Sequence, residues 1–290
     1  MVQMIFGSCM AAILIYGPKP LVDPPVGLTM DVWATRFLPV GALYAGYLWG
    51  SNAVYDYLEV GFVQMLKPSS GLFTWALLLY TGMETFTGCK ALNIVVIYVA
   101  LSFVSLGQNA IGDFSFVGVF MILGAQFAQA LYGVAVQQVL QAATGAMKGL
   151  RLNPLTTMLC VGPAAAFWLA LVATAIEWTK PGFAWTIPWW ILLIDCLLAL
   201  GFNLVTFAII QTFSALSNNL IGCAKDVIVV FLSLIIDSEK ISDLEWCGYA
   251  VAIVGQLEWA HRNLDAKARL LHRHDGDEGL VCKKGPSTFA

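Results

Sequence analysis

"NLIGCAKDVIVVFLSLII", Asn219–Ile236, is an apolar stretch long enough to cross most of a bilayer, and Lys225 and Asp226 stand side by side near its start. A lysine at the centre of a membrane helix costs about 2.5–3.5 kcal/mol on insertion scales, so it needs a reason. Asp226 is not the natural partner. Adjacent helix residues point about 100° apart and do not face each other. Lys225 instead shares a helical stripe with Ser214, Asn218 and Gly222, a polar face of small residues suited to a cavity.

The same character runs through the whole chain. Of 290 residues, 59% are hydrophobic and 11% charged, where a soluble domain carries about 25%. Nine apolar segments read as helices: Met1–Tyr16, Val32–Val54, Phe62–Thr81, Ala91–Leu106, Phe116–Leu140, Leu155–Ile176, Pro188–Gln211, Ser217–Ile236 and Leu244–Ala260. The expected fold is therefore an all-α polytopic membrane helix bundle over residues 1–263, followed by a charged, disordered tail at 264–290. A net charge of −3 is too near neutral for a nucleic-acid partner, and the bilayer is the partner implied. The seven cysteines show no zinc or CxxC spacing and imply no metal or cofactor. No Gly-rich phosphate loop, HExxH or Ser/His/Asp set is present, so nothing argues for an enzyme.

Basic residues assign the sides. Lys19, Lys90, Lys148, Arg151 and the tail fall on one side, and only Lys180 and Lys240 on the other. The richer side is cytoplasmic by the positive-inside rule, which places the C-terminus there. The first segment starts abruptly at Met1 and is short for a span, which suggests that a leading helix is missing.

An internal repeat follows from the lysines. Lys67 and Lys225 are 225 − 67 = 158 residues apart, and the same offset takes Cys89 to Cys247. Halves at about 1–106 and 115–263, with opposite orientations, make a 5+5 inverted repeat with about nine of ten helices present. Inverted repeats are a transporter architecture, with the substrate site near the midplane between the halves. In the first half Gln64, Lys67, Gly71 and Thr74 form a stripe like that of Lys225, and Pro68 frees the carbonyl of Gln64. Snorkelling to an interface is the plainer reading of either lysine alone.

Two further stripes are polar. Gln126, Gln129, Gly133 and Gln137 recur at helical spacing, as do Asp195, Asn203 and Thr206 more loosely. Such amides line a cavity or join helices, and both readings stand. The residues expected at the binding site are Lys67, Lys225, Gln64, Asn218, Gln129, Gln137 and Asn203. Ala42, Gly46 and Gly50, spaced by four, read as close helix packing.

Several of these stretches resemble the triose-phosphate translocator and nucleotide-sugar transporter family of the drug/metabolite transporter superfamily. "VGFVQMLKPSSGLFT" is similar to its fourth helix, and "LRLNPLTTMLCVGPAAAF" to the start of its seventh. "ALSNNLIGCAKDVIVVFLSLII" with "EWCGYAVAIVG" resembles its ninth and tenth helices. Lys225–Asp226 is similar to a subgroup with Lys-Asp at this place. The resemblance implies ten helices, cytosolic termini and exchange of phosphorylated substrates, with Lys67 and Lys225 contacting phosphate. Triose-phosphate translocators carry Arg where this chain has Asp226, and Lys-Asp relatives tend to carry Glu near Gln108 and Arg near Gly133–Gln137. With Lys67, Lys225 and Asp226 the site has formal charge +1, against +3 for a Lys, Lys, Arg set. A small sugar phosphate depends on strong charge, whereas a nucleotide sugar has a base and two sugars for neutral groups to hold.

The expectation is an antiporter that trades a nucleotide sugar for a nucleoside monophosphate, in Golgi or endoplasmic reticulum membranes ahead of the plastid envelope. The alternatives are a sugar-phosphate/phosphate translocator, a truncated non-transporting member, and a proton-coupled exporter using Asp195. A homodimer is the one protein partner considered.

Overall fold

A computed structural model describes residues 2–17, 28–58, 63, 66–67, 69–107, 115–141, 152–177 and 188–222, with short pieces between 247 and 262. The protein is an all-α membrane helix bundle. In a bilayer every backbone polar group must be satisfied internally, and helices do this within one segment. Helix α1 is Val2–Tyr16. Helix α2 is continuous, built of Met30–Val32, a π-helical turn at Trp33–Phe37 and Leu38–Ala53, and it ends in a 3-10 turn at Val54–Asp56. Then come α3 (Ser69–Tyr80), α4 (Gly88–Gly107), α5 (Phe116–Gln141), α6 (Pro154–Val172, with a π-turn at Ala173–Glu177) and α7 (Trp189–Thr212). Helix α8 is described over 215–222, and helical residues recur between 247 and 262.

Among the described residues, α5, α6 with its π-turn, and α7 are each long and apolar enough to span a membrane. The exposed faces fit lipid. Leu92, Val95, Val96 and Val99 of α4 and Leu197, Leu198, Phe202 and Val205 of α7 are turned outward. Such stripes would be association sites in water and are ordinary against acyl chains.

The π-turn in α2 has a local cause. Pro39 offers no N–H to the carbonyl of Thr35 and crowds it. The ladder widens, and the N–H of Leu38 bonds to the carbonyl of Trp33. Thr29 caps this helix through a long bond from the N–H of Val32, 3.4 Å, and Asp31 suits the positive end of the dipole. Helix α6 contains Pro163, which loosens the carbonyls of the turn before it. The Trp33 indole donates to the Cys160 carbonyl at 2.8 Å, and the Trp168 indole to the Leu38 carbonyl at 3.0 Å. These contacts climb both helices in the same sense, so α2 and α6 run parallel.

Just beyond Leu38 on α2, opposite Ala164 on α6, the backbones nearly touch. A Cβ added at Gly41 would lie 2.5 Å from the carbonyl carbon of Ala164. Close approach is thus made by Gly41, with Ala45 and Gly50 also buried, while Gly46 faces open space. This corrects the expected stripe of Ala42, Gly46 and Gly50 at its centre. Spacing by four marks a row of small residues without saying whether that row or the adjacent one meets another helix. Trp33→Phe keeps the ring and removes one interhelical hydrogen bond. It should lower stability by about 1 kcal/mol in a detergent thermal-unfolding assay, and an unchanged midpoint would show the bond to be idle.

Two apolar clusters meet on α5. Ala11, Phe37, Val40, Val136, Val139, Cys160 and Phe207 join α1, α2, α5, α6 and α7. Leu78, Ile94, Tyr98, Val134, Leu216 and Trp259 join α3, α4, α5, α8 and the last helical stretch. Of the expected helix over Phe62–Thr81, Ser69–Tyr80 is described, Val63 and Leu66 before it are helical, and residues 62, 64, 65 and 68 lie outside the described ones. The sequence positions 264–290, expected to form the tail, lie outside the described residues.

Candidate substrate cavity and charged positions

Helices α1, α2, α5, α6 and α7 surround a small cavity of about 10 Å³. Met4, Tyr44, Tyr132, Met158, Asn203 and Phe207 line it. The rings of Tyr44 and Tyr132 lie 4.9 Å apart and tilted, and Tyr47 meets Tyr44 edge-on at 6.4 Å. Asn203 holds its orientation by donating to the Ala199 carbonyl, 2.9 Å, one turn back on α7. Gln129 is half-buried, one turn before Tyr132 on α5. Of the residues expected at the binding site, Asn203 is therefore at this cavity. The three tyrosines were not singled out from the sequence. Tyr44 and Tyr47 share an α2 face at i,i+3 spacing, the signal that was available.

Lys67 is elsewhere. Its N–H bonds to the Val63 carbonyl at 3.1 Å, as in an α-helix, and its own carbonyl accepts from Ser70 at 3.2 Å, so it stands in a turn between two helical stretches. Pro68, next in the sequence, has no N–H to offer a helix ladder. Its ammonium donates to the Tyr55 hydroxyl at 3.0 Å and lies 5.6 Å from the centre of that ring. Tyr55 is 11 residues beyond Tyr44 along the same helix, about 16 Å at about 1.5 Å per residue. Charge and aromatic cavity are separate places along α2.

Two other described cations are neutralised. Lys90 pairs with Glu84, and Arg262 with Glu258, which holds its guanidinium above the ordinary value. Lys67 has no carboxylate partner among the described residues, only a phenol. Arg36, inside the π-turn of α2, is a second such cation, half-buried with its Nη1 atom buried and unpartnered. It lies within the segment Val32–Val54 and was not singled out from the sequence. A charged residue inside an apolar span was the signal.

Lys225, Asp226 and Gln64 lie outside the described residues. Asn218 is half-buried in the first turn of α8, its N–H bonded to the Ser214 carbonyl at 3.1 Å. Its neighbour Asn219 makes the interhelical bond, donating to the Thr74 hydroxyl at 2.9 Å. That hydroxyl in turn donates to the Ser70 carbonyl at 2.8 Å. The helix that follows Lys67 and the helix that precedes Lys225 in sequence are thus joined.

Gln137 resolves toward helix joining. Its oxygen accepts from the Ala215 N–H at 2.7 Å and its nitrogen donates to Gln141 at 3.0 Å, and the side chain is buried. Asp195 accepts a hydrogen bond from Gln3, which ties α7 to α1 and gives it a structural partner. Among the described residues no group of His, Cys, Asp and Glu could hold a metal ion.

The bundle has no strand among its described residues, and it combines a lysine with a phenol partner and a small aromatic-lined cavity among five helices. Residues 1–259 match the Triose-phosphate Transporter family. The chain belongs to that family. Two probable sugar phosphate/phosphate translocators of Arabidopsis thaliana are similar to it. One is 28% identical over 92% of this chain and 77% of its own length, the other 31% over 92% and 71%. UDP-uronic acid transporter 1 of the same plant is 27% identical over 76% of this chain and 72% of its own. Triose-phosphate transporter family members move solutes across membranes, which agrees with the absence of an enzyme motif in the sequence.

Proposed function

We propose that this member of the triose-phosphate transporter family is an antiporter of phosphorylated sugar compounds, taking up a nucleotide sugar in exchange for a nucleoside monophosphate. The observation that carries the reading is the division of labour along α2. A cation without a carboxylate partner among the described residues stands at Tyr55, about 16 Å of helix rise from Tyr44 at the cavity. A nucleotide sugar carries phosphates for an ammonium and flat or cyclic groups for aromatic rings. A sugar phosphate lacks the flat base. Lys67 and Lys225 hold the phosphates, and the tyrosines take a ring.

Exchange follows from charge. Closing the protein around bare ammonium groups is costly, and a bound anion neutralises them, so the loaded form changes sides more readily than the empty one. The cavity itself is only about 10 Å³, room for about a single water, so the helices must part before a substrate ring can enter. The C-terminus is cytoplasmic and the membrane is Golgi or endoplasmic reticulum in this reading.

Sugar-phosphate/phosphate exchange is the second reading, favoured by what the two plant translocators are called. Proteoliposomes preloaded with nucleoside monophosphates or with phosphate separate the two. Uptake of a nucleotide sugar that depends on internal nucleoside monophosphate is the expected result. Uptake of sugar phosphates alone, driven by internal phosphate, would replace the first reading with the second.

A further inference from the structure

We propose that Gln137 and Gln141 are positioning residues for transport: two amides on α5 close both ends of the turn between α7 and α8, and so fix where the segment leading to Lys225 begins. The proposal rests on the reading above that Lys225 holds substrate.

The need for such a device comes from the helix ends. The last carbonyls of α7 and the first N–H groups of α8 have no partners within their own helices. Ser214 and Ala215 are buried in the bundle, where such groups need partners of their own. The Gln141 nitrogen donates to the carbonyl of Ile210 at 2.9 Å and to that of Phe213 at 3.0 Å, with Gln211 at 3.5 Å. Phe213 is the residue that leaves the helix, with φ −116° and ψ −91°. Across the turn, Ser214 caps α8 by accepting from the N–H of Ser217 at 3.1 Å. The next free donor, the Ala215 N–H, goes to Gln137. Gln137 and Gln141 stand at i,i+4 on one face of α5, and the bond between them makes a single unit of the pair.

The consequence reaches along α8. A helix turns about 100° per residue, so a slip of one position at its start swings every later side chain by that angle. The glutamine pair fixes the start of α8, and Asn219 fixes its next turn against Thr74. Lys225 follows six residues later in the sequence. Gln137 therefore acts on substrate through the placement of this helix, without touching it.

Gln141→Ala removes the donor to the α7 carbonyls. Ala215→Pro is the gentler variant: proline suits the first position after a serine cap and deletes only the N–H that Gln137 accepts. Two quantities are read in proteoliposomes. One is the alkylation rate of a cysteine placed by Ile221→Cys, at a position 49% exposed on α8, followed on its own peptide. The other is the half-saturating concentration of nucleotide sugar in exchange, per folded protein. Both variants should shift both quantities by about three- to tenfold, the scale of one lost hydrogen bond. Lys225→Gln should raise the half-saturating concentration and leave alkylation as it was. Values within about twofold of the parent for both variants, with only the yield of folded protein reduced, would make the pair merely structural and overturn the proposal. Should the parent exchange no phosphorylated compound, the transport reading falls, and the alkylation rate, which needs no substrate, still decides the placement of α8.

Discussion

Lys67→Gln is expected to weaken substrate binding by about one to two decades, because a charge-assisted hydrogen bond contributes roughly 1.5–3 kcal/mol. The ammonium is without a carboxylate among the described residues, so no described ion pair is broken at the same time. Lys225→Gln should fall in the same range, and Asp226→Asn should cost less, since the aspartate is not assigned to substrate. Tyr55→Phe is the internal control. It removes the phenol that holds the ammonium at 3.0 Å without removing the charge, and its effect should be the smallest of the four. The measurement is concentration-dependent exchange in proteoliposomes for each variant, with folding checked separately. Uptake indifferent to both lysine changes would remove these residues from the site.

The second large effect concerns stability. Gly41→Val should strongly deplete the folded protein, because the first atom of any side chain at 41 meets backbone. The added Cβ would sit 2.5 Å from the Ala164 carbonyl carbon and 2.7 Å from the Ala165 nitrogen. No rotamer relieves a clash at Cβ, so α2 and α6 must part and the two indole bonds stretch with them. Overpacking of this kind costs about 1–3 kcal/mol, a roughly five- to hundredfold loss in the folded ratio. Gly46→Ala, one turn on and facing open space, should instead be neutral or slightly stabilising, since alanine is the better helix former. Thermal unfolding in detergent with both variants compares them directly. Equal midpoints would show that α2 and α6 are free to separate.

The bundle was legible because its signal is large. Segments such as Phe116–Leu140 and Pro188–Gln211 are apolar over enough residues that no other structure satisfies their backbone, and the helices match to within a residue or two. Proline was legible too. Pro68 stands in the sequence just before the described helix Ser69–Tyr80, and Pro39 causes the π-turn, although that turn was not foreseen. Side-chain partners were less accessible. Gln137 reads the same in sequence whether it faces substrate or a helix end, and only the position of Ala215, 78 residues away, decides between them. Tyr44 and Tyr132 face each other across two helices, and nothing in either segment alone announces the pair. The packing stripe was misplaced because spacing by four picks out a row of small residues without saying whether that row or the adjacent one, Gly41 and Ala45, meets another helix.

Parallel packing of α2 on α6 also sets the order in which the protein can be made. Trp33 bonds to a carbonyl 127 residues later in the chain, and no earlier described helix offers it that acceptor. A ribosome adding about 5–20 residues per second needs roughly 6–25 s to cover that distance. For that time α1 and α2 are already emerging from the insertion machinery while the helix that must fill the groove at Gly41 does not yet exist. Their small-residue faces, made for intimate contact with α6, meet lipid or a holding factor first. The nascent chain is then most open to wrong pairing and to quality control during a waiting period written into the spacing of two residues.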